Sequence, residues 1–298
     1  MRNANVLVND INIVGLLFKQ LRPKQWTKNI LIFAALIFSF NKITEQNILN
    51  TLLGFLLFSF IAGCVYIIND FVDRHADSLH PVKKNRPIAS GALNPYVALS
   101  FGTFLLIASL ILSYFLNPLF MVLLITYFIL NVFYSFKLKH IVILDVMIIA
   151  TGFVLRAIAG GLIIEVPFTP WFLICTMFLS LFLAIGKRRH ELRLLRDGKG
   201  THRKVLEKYS LELIDHMNSI VTSATIISYS IFTFTSDHSL QLMWTIPFVI
   251  YGVFRYQYLI YVEEKGGSPE NLLLEDKHIL ITVLLYAIAV INILIFFE

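Results

Sequence analysis

Residues 48–77 read ILNTLLGFLLFSFIAGCVYIINDFVDRHAD. From Ile48 to Ile68 there is no charged residue. Crossing the hydrocarbon of a bilayer takes roughly 20 mainly apolar residues, so this stretch predicts a spanning helix. The run then breaks, without a turn signal, into Asn69, Asp70, Asp73 and Asp77. Asn69, Asp73 and Asp77 are spaced i, i+4, i+8, which predicts one face of a helix prolonged past the span, with Asp70 at its edge. Pro81 is the expected stop. Carboxylates stacked on one stripe repel each other unless a cation sits among them. Their hard oxygens suit Mg²⁺, an ion that bridges carboxylates to substrate phosphates. The competing reading is an acidic helix end neutralised by Arg74, Lys83, Lys84 and Arg86.

The whole chain agrees with a bilayer as its solvent. Of 298 residues, 57% are hydrophobic and 15% charged, whereas a soluble domain carries about 25% charged residues. The 26 Phe exclude disorder and the two cysteines exclude a disulfide scaffold. Met1–Asn12 is too polar for a secretory signal. The expected fold is all-α, one integral membrane domain over residues 1–298 with nine transmembrane helices. The spans fall at about 28–40, 48–68, 95–116, 118–136, 143–163, 168–186, 210–236, 239–262 and 278–297, with Asn117-Pro118 as a tight turn between two of them.

Loop charge alternates. Lys19, Arg22, Lys24 and Lys28 precede the first span, and Arg74, Lys83, Lys84 and Arg86 follow the second. Lys137 and Lys139 follow the fourth, a basic loop from Lys187 to Lys208 follows the sixth, and Lys265 follows the eighth. The opposite loops hold only Lys42. Positive charge stays inside, so the N-terminus and the polar loops are expected on the cytoplasmic face of the inner membrane, and Glu298 outside.

A second polar cluster is basic where the first is acidic. It holds Tyr134, Lys137, Lys139 and His140, then Asp145 and Arg156 on one face of the next span. About 16 Å of helix separates Asp145 from Arg156, so both are expected to line a cavity rather than to pair directly. Lys187 and Arg188 open the basic loop and are candidate substrate ligands. The histidines have no metal spacing with cysteine, and no Gly-rich phosphate loop is present. Nothing points to nucleic acid, and oligomeric state is not readable.

Asn69-Asp70-x-x-Asp73-x-x-x-Asp77 after the second span resembles the UbiA superfamily of intramembrane prenyltransferases. Leu21-Arg-Pro-Lys-Gln-Trp-Thr-Lys-Asn29, Arg86-Pro-Ile-Ala-Ser-Gly91, Tyr134-Ser-Phe-Lys-Leu-Lys-His140, Gly152-Phe-Val-Leu-Arg156 and Gly186-Lys-Arg-Arg189 are similar to its decaprenyl-phosphate phosphoribosyltransferase branch. That resemblance implies transfer of 5-phosphoribose from phosphoribosyl pyrophosphate to a polyprenyl phosphate at the cytoplasmic membrane face. It implies Mg²⁺ held by Asn69, Asp70, Asp73 and Asp77. It makes Asp73, Asp77 and Asp145 the catalytic carboxylates, with Asp145 on a ribose hydroxyl or a basic partner. Lys28, Lys83, Arg86, Tyr134, Lys139, Arg156, Lys187 and Arg188 are the implied phosphate ligands. The alternative is a prenyltransferase moving a prenyl group from a prenyl diphosphate to an aromatic or cyclic acceptor.

Overall fold

The structure is a computed structural model that describes residues 13–39, 42–79, 83–167, 169–198 and 204–297. Pro81, His80, His202, Lys199, Arg203 and the segment Met1–Asn12 lie outside the described residues. The helices are α1 (Ile13–Gln20), α2 (Ala34–Ile37), α3 (Glu45–Val72), α4 (Arg74–Leu79), α5 (Pro95–Leu116) and α6 (Pro118–Phe136). They continue as α7 (Leu144–Ile164), α8 (Pro170–Arg196), α9 (Leu211–Thr235), α10 (Ile246–Tyr261), α11 (Pro269–Glu275) and α12 (Lys277–Phe297). No strand occurs among the described residues.

Six of these helices, α3, α5, α6, α7, α8 and α12, are long and apolar enough to cross a membrane. The other three expected spans take different forms. Residues 28–40 fall on a 3-10 stretch, Pro23–Phe33, followed by the four-residue α2. Residues 239–262 divide into a 3-10 turn, Leu240–Thr245, and the 16-residue α10. The span at 210–236 forms α9, which buries polar Asn218, Thr222, Thr225, Ser228 and Thr233 among Ile214, Val221, Tyr229 and Phe232. In membranes small hydroxyl side chains let helices approach closely, and here several bond back to their own helix, such as Thr225 Oγ1 to the Val221 carbonyl at 2.7 Å.

Turn chemistry explains the sharpest corner. The Asn117 backbone N–H closes α5 on the Ser113 carbonyl, while its side-chain oxygen accepts from Leu119 N at 2.8 Å and Phe120 N at 3.2 Å. One residue thus ends one helix and caps the next, and Pro118 takes the first-turn position that needs no N–H.

Contacts group the chain into two compact units, residues 1–30 with 52–132, and residues 31–51 with 133–298. In the first, Leu21, Ile67, Ile88, Leu93 and Ala98 form a buried apolar cluster. Leu21 approaches α3 closely because Gly63 has no side chain there: a Cβ would stand 2.6 Å from Leu21 Cδ2. In the second, α7, α8 and α9 share the main core, with Phe182, Ile185, Leu206, Ile214 and Leu259 fully buried. There Gly160 of α7 lies against backbone, and a Cβ would meet the Ile32 carbonyl oxygen at 2.1 Å.

Gly160→Ala is therefore expected to force the 30s segment away from α7 and to destabilise the protein by about 1–3 kcal/mol. Gly252→Ala, whose nearest neighbour atom would lie at 3.8 Å, serves as the tolerated control. Thermal unfolding of the two variants in detergent compares them, and equal midpoints would contradict the packing argument.

Candidate active site

In the first unit, α3 carries its apolar run to Ile68 and then presents Asn69 and Asp70. At 28 residues it is about 42 Å long, more than the roughly 30 Å of hydrocarbon, so one end must reach the polar rim. The helix does not run on to Pro81 as one rod. It stops at Val72, passes Asp73 as a bend and resumes as α4. Arg74 contributes to the break, since its guanidinium takes up the Phe71 carbonyl at 2.7 Å. Helical spacing nevertheless survives: Asp73 N bonds the Asn69 carbonyl at 2.9 Å and Asp77 N the Asp73 carbonyl at 2.8 Å. The i, i+4, i+8 stripe is retained across the bend.

Asp70 is 2% exposed and surrounded by donors. Its Oδ1 accepts from Arg22 Nη2 at 2.5 Å and Arg86 Nη1 at 2.9 Å, and its Oδ2 from Gln20 Nε2 at 2.7 Å. Arg86 Nη1 also donates to Asp77 Oδ2 at 2.5 Å, while Lys83 Nζ faces Asp77 Oδ1 at 3.7 Å. A buried carboxylate pays a large desolvation cost unless it is paired and hydrogen-bonded, and both conditions are met here. The cations against these carboxylates are Arg86 and Lys83, as expected, joined by Arg22 just past α1 and by the neutral amide of Gln20, while Arg74 turns to the Phe71 carbonyl.

The donor set can be compared with Mg²⁺. Among the described residues no three His, Cys, Asp or Glu side chains converge as a ready cage. Mg²⁺ keeps several waters and takes only one or two carboxylates plus substrate phosphate oxygens, so a full cage is not required. Asn69 and Asp73 fit by chemistry and by register, and Asp77 fits through Oδ1, since its Oδ2 is held by Arg86 while Lys83 stands 3.7 Å from Oδ1. Asp70 does not, because both of its oxygens already serve protein donors.

In the second unit, Asp145 begins α7 and is 0% exposed. Its Oδ1 accepts from the Tyr209 hydroxyl at 2.8 Å, and its Oδ2 faces Arg188 Nε at 3.2 Å, a charge contact without hydrogen-bond alignment. Arg188, 3% exposed, also bonds Glu191 one turn along α8. The Tyr209 hydroxyl accepts from Ile143 N at 2.7 Å. Ile143 has φ +70°, unusual for a β-branched residue, and Tyr209 does the work of the missing helix cap at that turn. Burial, then the neighbouring Asp145, push the Tyr209 phenol well above its ordinary range, so it stays a donor.

Asp145 holds a basic partner, Arg188, and Arg156 donates to the Gly152 carbonyl one turn back at 2.7 Å, beside the Phe153 ring. Arg188 is committed to Asp145 and Glu191 rather than presented as an open phosphate ligand. Lys28, Tyr134, Lys139 and Lys187 are half-buried. Lys139 rides on a 3-10 turn, Leu138–His140, just before the Ile143 turn that Tyr209 secures. Further along the basic loop, Arg189 pairs with Asp215 at 2.7 Å and Arg193 with Glu264 at 2.5 Å. Tyr209 escaped sequence reading because it stands 64 residues from Asp145 with no local pattern to join them.

A fold that is helical throughout the described residues, with six membrane-length helices, defines a multi-pass membrane protein, and it carries one acidic and one basic polar cluster. The chain belongs to the UbiA prenyltransferase family, whose profile matches residues 30–273. It is 34% identical to a decaprenyl-phosphate phosphoribosyltransferase of Mycolicibacterium smegmatis over 285 residues, covering 89% of this chain and 88% of that protein. It is 32% identical to the Corynebacterium glutamicum protein of the same name, covering 94% and 87%. A UbiA homolog from Archaeoglobus fulgidus, solved bound to DMAPP and Mg²⁺, has the same fold with a TM-score of 0.70 at 21% identity, over 93% of this chain and 99% of that one.

Arg188→Ala would leave the Asp145 carboxylate buried without its cation, at a cost of about 3–5 kcal/mol. Tyr209→Phe removes the hydrogen bond to the Asp145 carboxylate, worth about 1.5–3 kcal/mol, together with the acceptor for the Ile143 N–H. Denaturation in detergent should show both losses; a neutral Arg188→Ala would refute the buried pair.

Proposed function

We propose that the chain transfers the 5-phosphoribosyl group from phosphoribosyl pyrophosphate to a polyprenyl phosphate and releases pyrophosphate. The observation that carries this reading is the likeness to proteins named decaprenyl-phosphate phosphoribosyltransferase, at 30–34% identity over most of both chains. The charge pattern supports it, since an acidic and a basic cluster suit two phosphorylated substrates better than two acidic clusters would.

Asn69, Asp73 and Asp77 would hold Mg²⁺, which when bound offsets negative charge on the departing pyrophosphate. The bond from ribose C1 to the pyrophosphate oxygen breaks, and a bond from C1 to a lipid phosphate oxygen forms. The attacking oxygen is already anionic, so no general base is needed. What the chain supplies is positioning and charge. Arg86 and Lys83 contact phosphate of the ribosyl donor beside the acidic segment; Tyr134, Lys139 and Lys187 are assigned to phosphate beside the basic one. Lys28 is assigned to phosphate on its place in the motif alone. Asp145 and Arg188 act by fixing the turn that carries Lys139.

Nine crossings remain compatible with the element lengths: the first, Pro23–Phe33 followed by α2, covers about 28 Å. The 25-residue α9 is about 37 Å long, and the 3-10 turn Leu240–Thr245 followed by α10 spans a similar distance. With nine crossings, loop charge puts the N-terminus and both clusters on the cytoplasmic side of the inner membrane. The lipid phosphate must then meet the soluble donor at that face.

Purified protein incubated with polyprenyl phosphate, labelled phosphoribosyl pyrophosphate and Mg²⁺ should form labelled lipid, and Asp73→Ala and Asp77→Ala should each abolish it. Labelled lipid formed at the native rate by both variants would remove the metal assignment. Activity with a prenyl diphosphate and an aromatic acceptor, and none with the ribosyl donor, would favour the prenyltransferase reading instead.

A further inference from the structure

We propose that Arg22 and Arg86 form a paired-guanidinium clamp for the diphosphate of the ribosyl donor, and that Asp70 is the positioning residue that aligns them rather than a metal ligand. The proposal rests on the donor named above; it adds Arg22, which that reading left unassigned, and gives Asp70 a role other than metal ligand.

The first observation is the convergence itself. One oxygen of Asp70 receives both guanidinium groups, at 2.5 and 2.9 Å, while its other oxygen is held by Gln20 at 2.7 Å. A metal ion could reach this carboxylate only by displacing donors that already satisfy it. Asp70 lies one residue beyond Asn69 and three before Asp73, so it belongs to the acidic segment by sequence while its chemistry is that of an arginine anchor.

The second observation is that the two arginines are not used up by the anchor. Their side chains are 26% and 24% exposed, whereas Asp70 is sealed. Each meets its carboxylate partners through a single terminal nitrogen, and among the described residues the Nε and other terminal nitrogen of both make no hydrogen bond. A planar fork with an open edge suits bidentate phosphate recognition, and two forks tied to one oxygen suit an anion bearing two phosphate groups. Arg22 is fixed further by lying over the Tyr66 ring, 4.6 Å from its centre, and its backbone sits at φ +53° just before Pro23.

The third observation is mechanical. Each polar partner is a near neighbour of a residue in the same buried apolar cluster: Leu21 stands between Gln20 and Arg22, Ile67 precedes Asp70 by one turn, and Ile88 follows Arg86 by two residues. The turn that seats Ile88 is closed by Arg86 N on the Lys83 carbonyl at 2.9 Å and Ser90 N on the Arg86 carbonyl at 2.9 Å. The guanidinium groups are thus carried by backbone that packing holds still, which is what a preorganised anion site needs.

The test uses the full chain in lipid nanodiscs with inorganic pyrophosphate as probe, at saturating Mg²⁺. Arg22→Ala and Asp70→Asn are each expected to weaken pyrophosphate binding about tenfold or more, with Arg22→Lys restoring part, because an ammonium supplies charge without the fork. Asp70→Asn should leave the Mg²⁺ concentration for half-maximal binding unchanged, whereas Asp73→Asn should raise it. In turnover, KM for phosphoribosyl pyrophosphate should rise in both clamp variants while KM for the polyprenyl phosphate holds. A shift in Mg²⁺ requirement for Asp70→Asn matching that of Asp73→Asn would make Asp70 a ligand and overturn the proposal. So would native pyrophosphate affinity in Arg22→Ala with only a lowered melting temperature, which would leave that arginine a tether. A rise confined to KM for the lipid would reassign the clamp to the lipid phosphate. Native protein that binds pyrophosphate yet transfers no ribosyl group would sink the transfer reading and leave the clamp standing; native protein that binds none would sink the clamp.

Discussion

A carboxylate withdrawn from water must find positive charge, and in this protein that requirement is met twice by arginine. Asp70 and Asp145 are both sealed, in surroundings where an unpaired charge would cost several kcal/mol. Asp70 gathers Arg22, Arg86 and Gln20; Asp145 gathers Arg188 and Tyr209. Each carboxylate therefore ties together elements far apart in sequence, and each fixes the side chains around it in one arrangement. Within a membrane protein this matters more than in water, because apolar side chains gain little by leaving lipid for one another.

The packing around each cluster serves the same end. In the first unit, Leu21, Ile67 and Ile88 hold the three segments that bring polar groups to Asp70, and the bare Gly63 lets Leu21 come close. In the second, Tyr209 closes the strained Ile143 turn and reaches Asp145 through the same hydroxyl, just after the segment that carries Tyr134 and Lys139. Apolar anchors set distances, and polar contacts set orientation.

Chemically, the two clusters differ: one sets carboxylates beside arginines, the other is mainly basic. An acidic stripe of Asn69, Asp73 and Asp77 suits a hard cation, and the neighbouring guanidinium pair suits the phosphates such a cation would accompany. The basic segment near Lys139 offers positive charge without competing carboxylates, since Asp145 is already neutralised by Arg188. A reaction with an anionic nucleophile and an anionic leaving group asks little of acid–base chemistry and much of fixed charge.

Much of this was legible in the sequence, for identifiable reasons. Long apolar runs have no other solution than a membrane helix, so α3, α5, α6, α7, α8 and α12 announce themselves, and Asn117-Pro118 specifies its own corner. The stripe at Asn69, Asp73 and Asp77 is a short-range periodicity, and it survives the bend at Asp73 because the backbone keeps helical bonds through it. Spans with mixed content were less legible: the buried polar residues of α9 and the 3-10 stretch Pro23–Phe33 depend on what lies opposite them. The partners of the buried charges were not legible at all. Sequence fixed which residues carry charge and which runs must avoid water, since those are properties of the residues themselves. Only the tertiary structure decided that Asp70 belongs to two arginines, and Asp145 to Arg188 and Tyr209, because pairing is set by distances between segments 16 to 64 residues apart that no local pattern encodes.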